Sequence, residues 1–167
     1  MNHIVLVGMM GAGKTTIGRR LARRLDRPFI DSDEQVEART GRTVREIFEA
    51  NGEPAFRALE TEALCDALSS DTPSVVAAAG GTVLADVNRA AMRDAGIVVW
   101  LRADPSVLAE RVRNGVHRPL LADDPAAVLE RLDSQRRDLY EDVAHHVVDT
   151  AQRKPEDVVD AIVEVVS

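Results

Sequence analysis

A phosphate-binding pattern stands close to the start of the chain. Residues 8–15, with the sequence GMMGAGKT, fit the pattern G-x-x-x-x-G-K-[ST] in full. In such a loop the backbone N–H groups turn toward a polyphosphate, the lysine reaches the β- and γ-phosphates, and the hydroxyl binds Mg²⁺. An apolar run precedes the loop and an amphipathic helical pattern begins at Lys14, which is the context that this chemistry requires. A glycine-rich turn with an ordinary lysine is the alternative interpretation.

A pair of carboxylates, Asp31 and Asp33, follows the second apolar run of the chain. In an open parallel sheet, ligands bind at the carboxyl ends of the strands, so this pair is placed at the functional edge. The two groups could divide the work between a metal-bound water and a substrate hydroxyl. Alternatively, they cap a helix that begins near Glu34.

Two helical arginines are further candidates. Arg57 and Glu60 are three residues apart on one helical face, where a surface ion pair is the simplest interpretation. Arg136 borders the apolar stripe of its own helix, next to Leu132 and Leu139. There its aliphatic stem could merely lie along the edge of the core.

Three loop segments complete the set of candidates. Residues 113–124 predict a long loop, in which Arg118 could stabilise charge on a transferring phosphoryl group or simply be solvated. Gly80 and Gly81 follow the third apolar run and form either a turn or a place where a ligand approaches the backbone. Residues 148–150 lead toward Pro155 and are either a helix start or a further part of the same sheet edge.

The elements that must position these residues alternate between strands and helices. Short apolar runs that do not alternate with polar residues are typical of strands buried on both faces of a parallel sheet. Five such runs occur, at residues 4–7, 29–30, 75–79, 97–101 and 146–148. Helical patterns lie between them, so the sequence predicts an α/β protein built from right-handed βαβ units.

Start and stop signals mark the helices. Thr43 and Glu46 have the spacing of a capping box, and Gly52 is positioned to end the short helix that they open. Proline in a first turn predicts the starts of the next helices. These are expected at residues 54–68, 124–140 and from 155 onward.

Length and composition narrow the class of protein. A chain of 167 residues that is 45% hydrophobic is expected to fold as one domain, and its net charge of −7 argues against general nucleic-acid binding. Cys65 is the only cysteine, which excludes an internal disulfide and a multi-cysteine zinc site. No apolar run approaches the ~20 residues of a membrane span, and no basic leader precedes the first run. We therefore expect a cytoplasmic protein with neither a membrane nor a nucleic acid as partner.

The order of these motifs resembles that of the shikimate kinase family, which belongs to the nucleoside monophosphate kinase-like P-loop group. The resemblance covers nearly the whole chain and includes the segments GEPAFR at 52–57 and RPLL at 118–121. It implies a three-layer αβα P-loop fold around a five-stranded parallel sheet of order 2-3-1-4-5. Within one domain, 1–167, it implies a helical substrate subdomain at about 34–62 and a lid at about 113–124.

The resemblance also implies an activity, namely transfer of the γ-phosphoryl group of ATP to the 3-hydroxyl of shikimate with the help of Mg²⁺. The implied catalytic residues are Lys14, Asp33 and Arg118. The implied nucleotide-binding residues are Gly11, Ala12, Gly13, Lys14, Thr15, Thr16, Arg111, Arg118 and Arg153. The implied substrate-binding residues are Asp33, Arg57, Gly80, Gly81 and Arg136, and the implied metal ligands are Thr15 and Asp31.

One position departs from the family pattern, which usually has three consecutive glycines after the third strand. Here the first of the three is Ala79, whose methyl group could narrow the space beside the acceptor. Another small polyol, such as gluconate or a cyclitol, is therefore an alternative acceptor, although paired arginines favour an anionic one. A non-catalytic nucleotide-binding paralogue is the alternative from a different class. We expect a monomer in either case.

Overall fold

A single parallel sheet forms the centre of the protein. The computed structural model describes residues 2–113 and 124–167; Arg118 and nearly all of the predicted lid lie outside them. The strands are β1 (His3–Val7), β2 (Phe29–Asp31), β3 (Val75–Ala77), β4 (Gly96–Arg102) and β5 (His146–Asp149). Their order is β2-β3-β1-β4-β5 and every pairing is parallel, which confirms the predicted topology.

The central position of β1 determines where the phosphate-binding pattern lies. All five residues of β1 are buried, and the strand pairs with β3 on one side and β4 on the other. The edge strands β2 and β5 are more exposed, because each has only one neighbouring strand. The third strand ends at Ala77, two residues earlier than predicted, because the Ala79 N–H leaves the sheet and donates to the Ser32 hydroxyl.

Helices cover both faces of the sheet, which gives the three-layer αβα arrangement. α1 and α7 pack together in one layer, whereas α3, α4, α5 and α6 contact one another in the other. A 3₁₀ turn at Thr82–Leu84 follows β3. The helices are α1 (Lys14–Leu25), α2 (Ser32–Thr40), α3 (Val44–Leu68), α4 (Asp86–Ala95), α5 (Pro105–Arg113), α6 (Pro125–Val143) and α7 (Pro155–Val166).

The predicted capping signals are present in the structure. Thr43 and Glu46 form a reciprocal capping box at the start of α3. Gly52 interrupts that helix with a φ of 81° and a ψ of 172°, so α3 consists of two helical segments that meet at a kink before Pro54. Asp124 caps α6, which continues to Val143, three residues past its predicted end.

Two apolar clusters stabilise the fold. The larger one surrounds the sheet, and the smaller one joins α2 to α3 through Val36, Ile47, Phe56 and Ala63. The smaller cluster gives α2 and α3 a core of their own. This packing fixes the position of α3 relative to the end of β3. Among the described helices, none combines the length and the apolar character needed to cross a membrane.

Candidate active site

The phosphate-binding loop joins β1 to α1. Gly11 and Gly13 have φ angles of 80° and 97°, in the left-handed region that favours glycine, and this turns the loop around the start of the helix. Within the described parts of the chain no side chain caps α1, and its first turn holds no acidic residue, so the positive end of the helix dipole faces the loop. The Lys14 Nζ donates to the carbonyls of Gly8 at 2.7 Å and Met9 at 3.0 Å.

Asp31 has two roles, because each of its carboxylate oxygens has a different partner. Oδ1 accepts from the backbone N–H of Asp33 at 2.9 Å and of Glu34 at 3.2 Å, which caps α2. Oδ2 accepts from the Thr15 hydroxyl at 2.7 Å. The capping interpretation of Asp31 is therefore confirmed, and the second carboxylate oxygen lies at the phosphate-binding loop, where its role toward a metal-bound water stays a prediction.

A cavity of about 880 Å³ extends from the phosphate-binding loop to α3. It brings most of the predicted site residues together. Those that line it are Gly11, Gly13, Lys14, Thr15, Thr16, Asp31, Asp33, Arg57, Gly80, Gly81 and Arg136. Ala12, Arg111 and Arg153 are not among the described residues that line it.

Arg57 and Glu60 form an ion pair that is far from a surface contact. The Arg57 Nη1 lies 2.9 Å and 3.1 Å from the two carboxylate oxygens of Glu60, whose side chain is only 2% exposed. Burial raises the pKa of Glu60, and the charges of Arg57 and Arg136 oppose that rise. The interpretation as a surface pair is therefore wrong, because this face of α3 turns toward the cavity and the protein interior.

Arg136 brings a second positive charge to the same end of the cavity. Its side chain is buried as a whole, with 3% of the residue exposed, so more than the aliphatic stem lies against the core. Its Nε has no hydrogen-bond acceptor among the described residues. A buried guanidinium with an N–H that has no acceptor is well suited to bind an anion, because a buried charge is costly unless it is paired and hydrogen-bonded.

The two glycines after β3 allow both guanidinium groups to approach the backbone. A Cβ atom built on Gly81 would lie 2.6 Å from the Arg57 Nη2, so any side chain there would displace the guanidinium from its position. A Cβ atom on Gly80 would lie 3.3 Å from the Arg136 Nη1. Gly80 and Gly81 lie in a turn, as one interpretation expected, and they also permit a close approach, which here is made by the two arginines.

Arg111 on α5 contacts the phosphate-binding loop, and Arg153 lies in the segment after β5. The Arg111 Nη1 donates to the carbonyl of Gly11 at 3.1 Å, and its Nη2 donates to the carbonyl of Thr150 at 3.0 Å. These bonds connect α5 and the segment after β5 to the phosphate-binding loop, so residues 148–150 lie at the predicted edge. Arg153 is exposed and donates to the carbonyl of Asp149 at 3.2 Å.

Sequence reasoning missed the supporting roles of Ser32 and Tyr140. The Ser32 hydroxyl accepts from the Ala79 N–H at 2.9 Å, and the Tyr140 hydroxyl donates to the carbonyl of Gly80 at 2.7 Å. Two helices, α2 and α6, are thereby fastened to the turn after β3. The only signal for Tyr140 in the sequence is its spacing of four residues from Arg136, which places both on one face of α6.

The sequence profile of the shikimate kinase family matches residues 10–167. This chain belongs to the shikimate kinase family. It is 48% identical to the shikimate kinase of Symbiobacterium thermophilum over 165 residues, which cover 97% of this chain and 94% of that protein. It is 47% identical to the shikimate kinase of Burkholderia thailandensis over 151 residues, which cover 90% of this chain and 82% of that protein.

Solved structures of shikimate kinases have the same fold. The enzyme from Acinetobacter baumannii, in complex with shikimate, superimposes with a TM-score of 0.95 at 39% identity and covers 99% of this chain and 92% of its own. A gluconokinase from Sinorhizobium meliloti superimposes with a TM-score of 0.63 at 21% identity, over 99% of this chain and 93% of its own, which shows the fold alone. As a member of the shikimate kinase family, the protein is a small-molecule kinase.

Proposed function

We propose that this protein transfers the γ-phosphoryl group of ATP to the 3-hydroxyl of shikimate. One observation carries the proposal, namely that a single cavity joins the phosphate-binding loop to Asp33 and to the guanidinium groups of Arg57 and Arg136. Phosphoryl transfer depends mainly on positioning and on electrostatic stabilisation, and this arrangement supplies both. The likeness to a shikimate kinase structure that holds shikimate supports the choice of acceptor.

The phosphate end of the cavity supports binding of ATP. Residues 11–16 present the backbone of the loop and the start of α1 to the phosphates, and Lys14 adds a positive charge. Lys14 now donates to backbone carbonyls of the loop, and we expect it to donate to the β- and γ-phosphates in the nucleotide complex. Arg111 and Arg153 are proposed to lie beside the adenine.

Thr15 in the first turn of α1 and Asp31 at the end of β2 fit a magnesium ion. Thr15 Oγ1 and Asp31 Oδ2 are hard oxygen donors 2.7 Å apart, and Mg²⁺ typically takes few protein ligands beside substrate phosphates. Thr15 and Asp31 would hold the Mg²⁺, which would offset negative charge on the phosphates during transfer.

Asp33 is proposed to orient the attacking hydroxyl. The first turn of α2 holds it in the cavity between the phosphate-binding loop and the turn that contains Gly80 and Gly81. A carboxylate there can accept the hydroxyl proton as the bond to phosphorus forms. Arg118, in the segment outside the described residues, stays our prediction for a group that contacts the phosphates.

The acceptor end of the cavity contains two guanidinium groups with different surroundings. Arg57 is paired with the carboxylates of Glu53 and Glu60, whereas the Nε of Arg136 has no hydrogen-bond acceptor among the described residues. The carboxylate of shikimate would bring a negative charge to both guanidinium groups. We therefore propose that the two arginines bind this carboxylate, while Gly80 and Gly81 allow the ring to approach the backbone.

A coupled assay of ADP release tests the proposal directly. The purified protein is supplied with ATP and Mg²⁺, and with shikimate, quinate, gluconate or a neutral cyclitol in turn. We expect turnover with shikimate to exceed that with each of the others. Preference for gluconate or for the cyclitol would instead point to Ala79, which lines the cavity, as the cause of a changed specificity. Absence of turnover with every acceptor would favour a nucleotide-binding protein without catalysis.

We also propose that the enzyme works in the cytoplasm as a monomer, with a small molecule as its only partner besides ATP. A measured molar mass near 18.2 kDa in dilute solution would agree with this.

A further inference from the structure

Tyr140 is a fully buried residue whose polar end reaches the active site. Its ring stacks on Trp100, with the ring centres 5.7 Å apart and the planes at 26°. Its hydroxyl donates to the carbonyl of Gly80 at 2.7 Å. Packing against the core therefore fixes the ring, and the ring presents a hydroxyl to the turn that borders the acceptor end of the cavity.

Three groups converge on Gly80. A Cβ atom built on it would meet the Arg136 Nη1 at 3.3 Å, the Gly8 carbonyl oxygen at 3.4 Å and the Tyr140 hydroxyl at 3.6 Å. Gly8 is the first residue of the phosphate-binding pattern, and its carbonyl also accepts from Lys14. The phosphate-binding loop, the turn after β3 and the arginine of α6 thus meet at one glycine.

The protonation state of the Tyr140 hydroxyl allows it to act as a hydrogen-bond donor. Burial raises the pKa of Tyr140 to about 12, and the positive charge of the nearby Arg136 acts in the opposite direction. The hydroxyl is therefore protonated at neutral pH. It can donate to Gly80 and accept from Arg136 at the same time, because a phenol is both a donor and an acceptor.

We propose that Tyr140 is a positioning residue, whose hydroxyl holds the Arg136 guanidinium beside Gly80 in the orientation that binds the carboxylate of the acceptor. The inference rests on the proposed function, in which Arg136 binds this carboxylate. An arginine side chain has several rotatable bonds, so ordering it in advance removes an entropic cost from substrate binding. The Tyr140 hydroxyl can order Arg136 in this way because the Tyr140 ring is held in the core, where it stacks on Trp100.

The test is the steady-state kinetics of Tyr140→Phe, which removes the hydroxyl and keeps the ring. We expect the KM for shikimate to rise about tenfold, since a weakened contact to a charged group is worth about one order of magnitude. The kcat and the KM for ATP should stay within about twofold of wild type. With the methyl ester of shikimate as acceptor, which has no carboxylate, the variant should differ from wild type by less than about twofold.

Trp100→Phe is the matched control, because it keeps an aromatic ring against Tyr140, reduces the packing of the core and leaves the hydroxyl in place. We expect it to lower the Tm without raising the KM for shikimate. If both variants raise that KM equally, for the ester as well as for shikimate, Tyr140 acts only through packing and the inference is wrong.

Arg136→Ala separates the inference from the proposed function. If Arg136→Ala raises the KM for shikimate while Tyr140→Phe leaves it unchanged, the positioning role is refuted and the proposed function stands. If Arg136→Ala has no effect, the assignment of Arg136 to the carboxylate is itself wrong.

A measurement on the wild-type protein avoids any dependence on how well a variant folds. An Arg136 Nε–H signal that is sharp in NMR spectra before shikimate is added would support the role, and a signal broadened by motion would contradict it.

Discussion

Replacement of Gly81 by alanine should weaken acceptor binding without unfolding the protein. Gly81 has a φ of −85° and a ψ of −4°, a conformation that alanine adopts readily, so the backbone tolerates the change. The new methyl group, however, would lie 2.6 Å from the Arg57 Nη2 and closer still to Nη1 and Cζ. The guanidinium must therefore move, and it can, because it is the end of a flexible side chain.

The size of that movement sets the expected effect. Ordinary van der Waals contact begins near 3.4 Å, so the Nη2 alone must retreat by at least about 0.8 Å and the rest of the guanidinium by more. Displacement of a binding group by about 1 Å can cost up to about a hundredfold. We expect the KM for shikimate to rise about tenfold to a hundredfold, with the KM for ATP nearly unchanged.

Gly41→Ala is a control with the same glycine-to-alanine change, which should lower the stability of the protein and leave acceptor binding unchanged. Gly41 has a φ of 65° at the end of α2, and apart from its chain neighbours no described residue has an atom within 4 Å of the position of an added Cβ. Alanine is strained in that conformation, which should lower the free energy of unfolding by about 1 kcal/mol. The KM for shikimate should stay at its wild-type value.

A double variant tests whether Gly81→Ala acts through Arg57. If displacement of the arginine is the cause, Gly81→Ala combined with Arg57→Ala should bind shikimate about as weakly as Arg57→Ala alone. Additive losses would show that the methyl group blocks the ring directly. A Gly81→Ala enzyme with a wild-type KM would refute the reasoning altogether.

Three further predictions follow from the same structure. Lys14→Met should stay folded and lose about 10²–10³ in kcat, because it removes charge stabilisation of the transferring phosphoryl group. Circular dichroism checks the fold and the ADP-release assay checks kcat. A kcat within about threefold of wild type would contradict the role of Lys14 in stabilising that charge. Arg118→Ala should lower kcat more than it raises the KM for shikimate, and steady-state kinetics showing the reverse would place Arg118 in ground-state binding. Arg102 donates to both carboxylate oxygens of Asp149 and lowers its pKa, so this contribution to stability is present at neutral pH and is lost as the pH falls below about 4. Urea denaturation of Asp149→Asn should therefore show a loss of at most about 1 kcal/mol at pH 7 that disappears in acid, and an unchanged difference at about pH 3 would contradict the linkage.

The sequence was most informative where local patterns determine the structure. The phosphate-binding motif, the capping box at Thr43 and the break at Gly52 each depend on residues that are close together in the chain, and the structure has all three as predicted. The strand order, in contrast, came from a resemblance to a family, because pairing between distant strands leaves little trace in a single sequence.

What the sequence could not show are contacts between distant elements. Glu60 has the spacing of a surface ion pair, and only the packing of α3 reveals that it is buried. Gly81 is explained by Arg57, which is 24 positions earlier in the chain, and Gly80 by Tyr140, which is 60 positions later. Such partners are brought together by the tertiary fold, so spacing along the chain carries no signal for them.

Binding of the shikimate carboxylate by Arg57 and Arg136 can be measured by titration calorimetry. Shikimate and its methyl ester are added in turn to wild type, Arg57→Ala and Arg136→Ala in the presence of ADP and Mg²⁺. We predict that each substitution weakens the binding of shikimate by about tenfold to a hundredfold and changes the binding of the ester by less than about twofold. Wild-type affinity for shikimate in both variants would contradict this role of the two arginines.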